Sequence, residues 1–166
     1  MSKGQSRKSP GNLVGYCLGL AALASLLAVW PSWAEPSGQA TYLGAQACQE
    51  CHEEQYERFQ KYSKKAHSYN SIKIMRKGLT EEEARKCFEC HTTGYNRPGG
   101  FRSEGETPQL MNAGCEVCHG PGSLHAQSQD TKQIIRRPKI KDCEVCHNAE
   151  RVGAFRFKPM IYGGAH

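Results

Sequence analysis

The most apolar segment of the chain lies near its beginning. Leu13 to Val29 is almost wholly apolar, and three basic residues precede it, at positions 3, 7 and 8. This order is typical of an export signal, and Ser32-Trp33-Ala34 offers small residues at the two positions that a signal peptidase reads. We predict cleavage after Ala34, a signal peptide over 1–34, and no membrane span in the remainder. An uncleaved anchor is the alternative, since the run is near the lower length limit for crossing a bilayer.

The remainder is polar, and its pattern predicts two helices. Apolar, serine and histidine side chains recur at three- and four-residue steps between Glu53 and Ala66, which indicates one amphipathic helix. Its proposed inner face consists of Tyr56, Phe59, Ser63 and His67. Thr80 followed by Glu83 is a capping-box pattern, so a second helix is expected to begin there. Glycines and prolines make 92–114 an irregular segment, and no alternating strand pattern of useful length appears.

A five-residue pattern, Cys-x-x-Cys-His, occurs four times. Its cysteines are Cys48, Cys51, Cys87, Cys90, Cys115, Cys118, Cys143 and Cys146, and its histidines are His52, His91, His119 and His147. The pattern indicates covalent haem c attachment, because two thiols bond the haem vinyl groups and the adjacent histidine binds the iron. The third and fourth copies both read Cys-Glu-Val-Cys-His and begin 28 residues apart, which indicates a repeated unit. We therefore expect four haem c groups.

Zinc ribbons and disulfide frameworks also use paired Cys-x-x-Cys units. Neither explains a histidine after every second cysteine. The nine cysteines are the eight above and Cys17, which lies in the apolar run, so no thiol is left over for a structural disulfide. Haem attachment after export predicts a periplasmic location, with an extracellular one as the alternative.

Composition predicts that the haems form the core. Cleavage leaves 132 residues, the length of one domain over 35–166, and the mean hydropathy of the whole chain is only −0.66. We expect a mainly α fold with extensive loops and little or no sheet, wrapped around four closely packed haems.

Three of the 22 basic residues lie in the leader, leaving 19 against 16 acidic ones. This near balance gives no support to nucleic-acid binding.

Three histidines outside the motifs are candidates for the second axial position of an iron: His67, His125 and the C-terminal His166. His125 follows His119 too closely to reach round the same porphyrin, so it is expected to serve a different haem. Three histidines leave one of four irons without a partner. That iron is five-coordinate, borrows a histidine from another subunit, or takes a methionine. The methionine candidates are Met75, Met111 and Met160.

Several stretches around the motifs carry a family resemblance: Thr41 to Ala45, Glu53 to Tyr56, Ala66-His67, Cys87 to Tyr95 and Gly114 to Ser123. They resemble the tetrahaem cytochrome c-554 family. The resemblance implies a mainly helical, periplasmic electron carrier, like the type member that accepts electrons from hydroxylamine oxidoreductase. It also implies that His67, His125 and His166 are distal ligands and that the haem on His91 is five-coordinate.

Electron transfer between redox partner proteins is the favoured function, without catalysis of its own. One alternative is a small nitrogen-oxide reductase activity, such as nitric oxide reduction, at the open haem. It needs a proton donor nearby, for which Tyr95, Arg97 and Arg102 are candidates. Another alternative is self-association into an extracellular cytochrome filament, in which a neighbour supplies the missing ligand. Basic runs are expected to be solvated faces, or docking sites for an acidic redox partner.

Overall fold

The computed structural model describes residues 38–149, 151, 160, 165 and 166. The chain divides into two units, 1–37 and 38–166, and the described residues all belong to the second. The predicted signal peptide, its cleavage site after Ala34 and Cys17 lie outside the described residues. Within the part that is described, every helix is too short or too polar to cross a membrane.

Short helices and turns make up the described part of the chain. The α-helices are α1 (Ala45–Cys48), α2 (Glu53–Tyr62), α3 (Tyr69–Met75), α4 (Glu81–His91), α5 (Cys115–His119), α6 (Ser123–Ser128) and α7 (Ile140–Glu144). Turns of 3-10 helix occupy Lys64–His67, Arg76–Gly78, Pro108–Leu110 and Thr131–Gln133. No strand occurs among these residues, so the expected mainly α fold with extensive loops is confirmed.

Helix α2 begins at Glu53, as the pattern predicts, but it ends at Tyr62 instead of Ala66. Ser63 has an extended backbone, with φ −89° and ψ 120°, and the chain continues as the 3-10 turn up to His67. The prediction of one continuous helix is therefore wrong. The backbone changes direction at Ser63, and both Ser63 and Ala66 are buried. Buried positions therefore continue at three- and four-residue steps although the helix has ended.

The start of α4 is predicted correctly. Thr80 Oγ1 accepts a hydrogen bond from the Glu83 amide at 3.3 Å, and the Glu83 carboxylate accepts one from the Thr80 amide at 2.8 Å. This capping box satisfies two amides that a helix start leaves without intrahelical partners. The helix then runs to His91 and carries the second Cys-x-x-Cys-His motif at its end.

A small side-chain core packs beside the second motif. Its buried members are Tyr69, Ile72, Phe88, Phe101 and Leu110. The Phe101 ring meets the Phe88 ring edge-on, with centroids 5.3 Å apart, and the Tyr69 ring at 5.8 Å. The polar composition predicts a core made of haems, but the chain also builds this aromatic cluster from its own side chains.

The segment from 92 to 114 is irregular, as predicted, except for the turn at Pro108–Leu110. It is nevertheless well held, because the Phe101 amide donates to the Thr93 carbonyl and the Thr93 amide donates to the Leu110 carbonyl, both at 2.9 Å. Gly100 approaches Gly94 so closely that an added Cβ would lie 1.7 Å from the Gly94 carbonyl oxygen. Only glycine permits this approach of two backbones.

Candidate haem-binding sites

Each attachment motif lies at or beside a helix end. We number them motif 1 (Cys48 to His52), motif 2 (Cys87 to His91), motif 3 (Cys115 to His119) and motif 4 (Cys143 to His147). Motif 1 joins α1 to α2, motif 2 closes α4, motif 3 forms α5, and motif 4 begins inside α7. The eight motif cysteines are free thiols, without disulfides among the described residues. In the same residues, no group of three or more His, Cys, Asp or Glu side chains is arranged to hold a metal ion.

His125 lies opposite His52, the histidine of motif 1. Their ring centroids are 6.3 Å apart and their planes differ by 21°. This separation is too large for direct stacking, in which ring atoms approach to about 3.5–4 Å. A metal ion about 2 Å from a nitrogen of each ring would place the two centroids about 6 Å apart. The spacing therefore fits two imidazoles that share one metal ion.

A second histidine pair has the same geometry. The rings of His119, in motif 3, and His166 have centroids 6.2 Å apart and planes that differ by 26°. His119 Nδ1 donates to the Ile135 carbonyl at 2.7 Å, which leaves Nε2 for a metal. Burial lowers the pKa of His119, which favours the neutral imidazole that metals bind.

Backbone carbonyls also orient two further rings. His91 Nδ1 donates to the Ser68 carbonyl at 3.0 Å, and His125 Nδ1 donates to the Asp130 carbonyl at 3.1 Å. Such bonds fix the tautomer and the orientation of a metal-binding histidine. In each case Nε2 is the nitrogen left for a metal.

His67 is placed differently from His125 and His166. Its Nε2 donates to the Gln60 carbonyl at 3.1 Å, so in this placement Nδ1 is the nitrogen left for a metal. Within the described residues it forms no ring pair with a motif histidine. Its turn is nevertheless close to motif 4: burial lowers the pKa of His147, and the charge of Lys65, two residues before His67, lowers it further.

Thiols of different motifs are in contact. Cys48 and Cys115 are hydrogen-bonded to each other, and this bond lowers the pKa of Cys48 and raises that of Cys115. Burial and a hydrogen bond to Cys90 raise the pKa of Cys146 to about 12. Motif 1 therefore meets motif 3, and motif 2 meets motif 4.

Motifs 3 and 4 are also neighbours. Burial raises the pKa of Cys143, and the nearby Cys118 raises it further. The segment after motif 4 is joined to motif 2, because Arg151 Nη1 donates to Cys90 Sγ at 3.1 Å and Arg151 Nη2 lies 3.6 Å from a Glu89 carboxylate oxygen. The four motifs thus form a continuous series in the order 2, 4, 3, 1.

Glu116, between the two cysteines of motif 3, is a site residue that the sequence pattern did not indicate. It is only 2 % exposed, and its carboxylate accepts hydrogen bonds from the amides of Leu43, Gly44 and Gly122. Glu144 has the same place in motif 4, where it is exposed and its carboxylate forms no hydrogen bond with any described residue. Because both motifs read Cys-Glu-Val-Cys-His, the letters alone do not show which glutamate is buried.

A cavity of about 530 Å³ lies beside α4. Its α4 lining residues are Glu81, Arg85 and Phe88. Helical spacing places these three on the face opposite Cys87 and Cys90. Two of the candidate proton donors, Tyr95 and Arg102, line this cavity, whereas Arg97 is exposed elsewhere. Tyr95 and Arg102 therefore lie beside the α4 face that Glu81, Arg85 and Phe88 form.

The residues present fit covalently bound haem c. Paired thiols, an adjacent histidine and, at motifs 1 and 3, a second imidazole across a metal-sized gap are the donors that this group requires. The helical fold and the repeated motif define the class of the protein as a multihaem c-type cytochrome.

Part of the chain is similar to known cytochromes. Residues 47–120, which include motifs 1 to 3, match the sequence model described as cytochrome c554 and c-prime. Cytochrome c-554 of Nitrosomonas europaea is 34% identical over 41% of this chain and 33% of its own length. The chain therefore spans about a third of the curated relative that it matches. No solved structure matches it.

Proposed function

We propose that the chain is a periplasmic tetrahaem electron carrier, with haem c attached at all four motifs. The observation that carries this proposal is the spacing of His52 from His125 and of His119 from His166, which in both pairs suits one shared iron. Iron bound on both sides by imidazole has no position for a substrate. Bound haem supplies reversible one-electron chemistry, and the chain supplies the ligands, their orientation and the local charge.

The geometry supports a ligand for three of the four sites. His125 serves motif 1 and His166 serves motif 3, because of the ring pairs that they form. His67 serves motif 4, since its turn carries the Lys65 charge that acts on His147. Motif 2 then has no histidine partner, and its iron is the five-coordinate one.

Contacts between motifs support electron transfer from one haem site to the next. The hydrogen bonds Cys48 to Cys115 and Cys90 to Cys146 hold attachment points of different motifs side by side. The nearness of Cys118 to Cys143 joins these two pairs. We propose that electrons move along this series, in either direction, between redox partner proteins.

The leader over 1–34 and the post-export timing of haem attachment support a periplasmic location. A filament subunit is a second possible role, in which a neighbouring copy supplies a ligand to the iron of His91. Size-exclusion chromatography at several concentrations separates the two, because a monomer at every concentration contradicts the filament.

A haem count and a spin count test the proposal. The pyridine haemochrome assay should give four haems per chain. Electron paramagnetic resonance of the oxidised protein should show three low-spin irons and one high-spin iron. The reduced protein should bind about one nitric oxide or carbon monoxide per chain. Two haems per chain would contradict the carrier, and four low-spin irons in a monomer would contradict the open site.

A further inference from the structure

Glu116 joins three segments that build two neighbouring haem sites. Residues 43–44 lead directly into α1, which ends at Cys48, and Gly122 leads into α6, which carries His125. The Glu116 carboxylate accepts from the Leu43 amide at 3.0 and 3.1 Å, from the Gly44 amide at 2.7 Å and from the Gly122 amide at 2.7 Å. One side chain therefore fixes parts of the motif 1 site to the motif 3 helix.

The partners of Glu116 favour a buried negative charge. Backbone amides donate to both of its oxygens, and an amide N–H cannot accept a hydrogen bond from a protonated carboxyl group. This set of donors suits the ionised carboxylate. None of the ion pairs found among the described residues includes Glu116, so no described lysine or arginine neutralises it through a direct ion pair.

The charge is also well placed to act on both sites. It interacts with Cys48 and with Cys115, the two thiols that are hydrogen-bonded to each other. Water screens such a charge poorly because the side chain is 2 % exposed. Ferric haem carries one more positive charge than ferrous haem, so a nearby fixed anion stabilises the oxidised state and lowers the reduction potential.

We propose that Glu116 positions the haem sites of motifs 1 and 3 and lowers the reduction potentials of both. The proposal rests on the haem occupancy proposed above. Motif 4 supplies the internal comparison, because Glu144 occupies the same place in an identical motif but is exposed, and its carboxylate forms no hydrogen bond with a described residue.

The test compares Glu116→Gln with Glu144→Gln in the haem-loaded protein, by potentiometric titration of the resolved haem signals. Glutamine keeps the size of the side chain and removes the charge. Glu116→Gln should raise two of the four reduction potentials by about 59 mV or more. For a one-electron step, this shift is a tenfold change in the equilibrium constant of reduction. Glu144→Gln should change every equilibrium by less than twofold. Unchanged potentials in Glu116→Gln, or equal shifts in both variants, overturn the proposal.

Haem content and low-spin count are measured on the same samples. A native count below four haems contradicts the proposed function, whereas four haems with unshifted potentials in Glu116→Gln contradict only the role of Glu116. A merely structural glutamate would lower thermal stability and leave the potentials as they are.

If Glu116→Gln does not fold, Glu116→Asp keeps the charge on a side chain one methylene shorter. The equilibrium constants for reduction of its haems should stay within twofold of the native values. Amide hydrogen exchange at Gly44 and Gly122 should become faster, because the shorter side chain draws the carboxylate that accepts their hydrogen bonds away from them. A tenfold change in the equilibrium constant of reduction in this variant would contradict the proposal that the charge of Glu116 lowers the potentials. Unchanged exchange at both amides overturns the positioning role.

Discussion

Replacing His125 with alanine removes one of the two imidazoles that flank the proposed iron site of motif 1. The ring of His52 lies 6.3 Å from that of His125, and it pairs with no other ring in the described part of the chain. The iron at motif 1 should therefore lose its sixth ligand and become high-spin. The thiols and His52 are untouched, so haem content should stay at four while the high-spin share rises from one iron in four to two.

The structural cost of His125→Ala should otherwise be small. With the described residues, His125 forms one side-chain hydrogen bond, to the Asp130 carbonyl, and such a bond contributes about 0.5–1.5 kcal/mol. Gln127→Ala is the matched control, because Gln127 is exposed on the same helix α6 and its side chain forms no hydrogen bond to the part of the chain that is described. The control should keep the native spin count and lose less than about 0.5 kcal/mol of stability.

The assay is electron paramagnetic resonance of the oxidised variant, followed by addition of free imidazole. Imidazole should occupy the position of the deleted side chain and return that iron to low spin. Carbon monoxide binding by the reduced variant should rise from about one to about two per chain. An unchanged low-spin count in His125→Ala would refute the assignment, and so would loss of a haem in place of a change in spin.

Three further predictions follow from other contacts. His166→Ala should convert one low-spin iron to high spin at constant haem content, and an unaltered spectrum would reject that ligand. Gly100→Ala places a Cβ 1.7 Å from a backbone carbonyl oxygen and should lower the free energy of unfolding by about 1–3 kcal/mol or more, whereas Gly78→Ala, with open space around it, should not. Thr80→Ala removes the helix cap and should cost about 1 kcal/mol in thermal unfolding. Hydrogen bonds from the Thr80 amide and from the Thr80 hydroxyl lower the pKa of Glu83, and Thr80→Ala removes the hydroxyl bond while keeping the amide bond. The stabilisation from the hydroxyl bond is present above the unfolded-state pKa of Glu83 and is lost as pH falls through the lower folded-state value. The stability difference between Thr80→Ala and native protein should therefore narrow in acid.

Local features of the fold were predictable where neighbouring residues determine them. The capping box at Thr80 and Glu83 depends on side chains three positions apart, and it forms as the pattern indicates. The end of α2 was not predictable in the same way. Ser63 leaves the helix because the chain turns there to bury both Ser63 and Ala66, and no local propensity records that packing.

The sequence indicates the four motifs because covalent haem attachment uses five contiguous residues. The sequence does not show which histidine lies opposite each motif histidine. His52 lies opposite His125 only because many intervening residues fold between them. The contrast between Glu116 and Glu144 is clearer still. Identical pentapeptides place one glutamate under three backbone amides and the other in solvent, so the surroundings determine the role.

The crossed contacts between motifs make the domain indivisible. A proteolytic cut in the irregular segment 92–114 would leave two fragments, each carrying two complete attachment motifs. Neither fragment would be a small cytochrome in its own right, because Cys48 and Cys115 belong to different halves, as do Cys90 and Cys146. The halves of a nicked chain should therefore stay associated, and a duplicated or transplanted motif would not bring a working site with it.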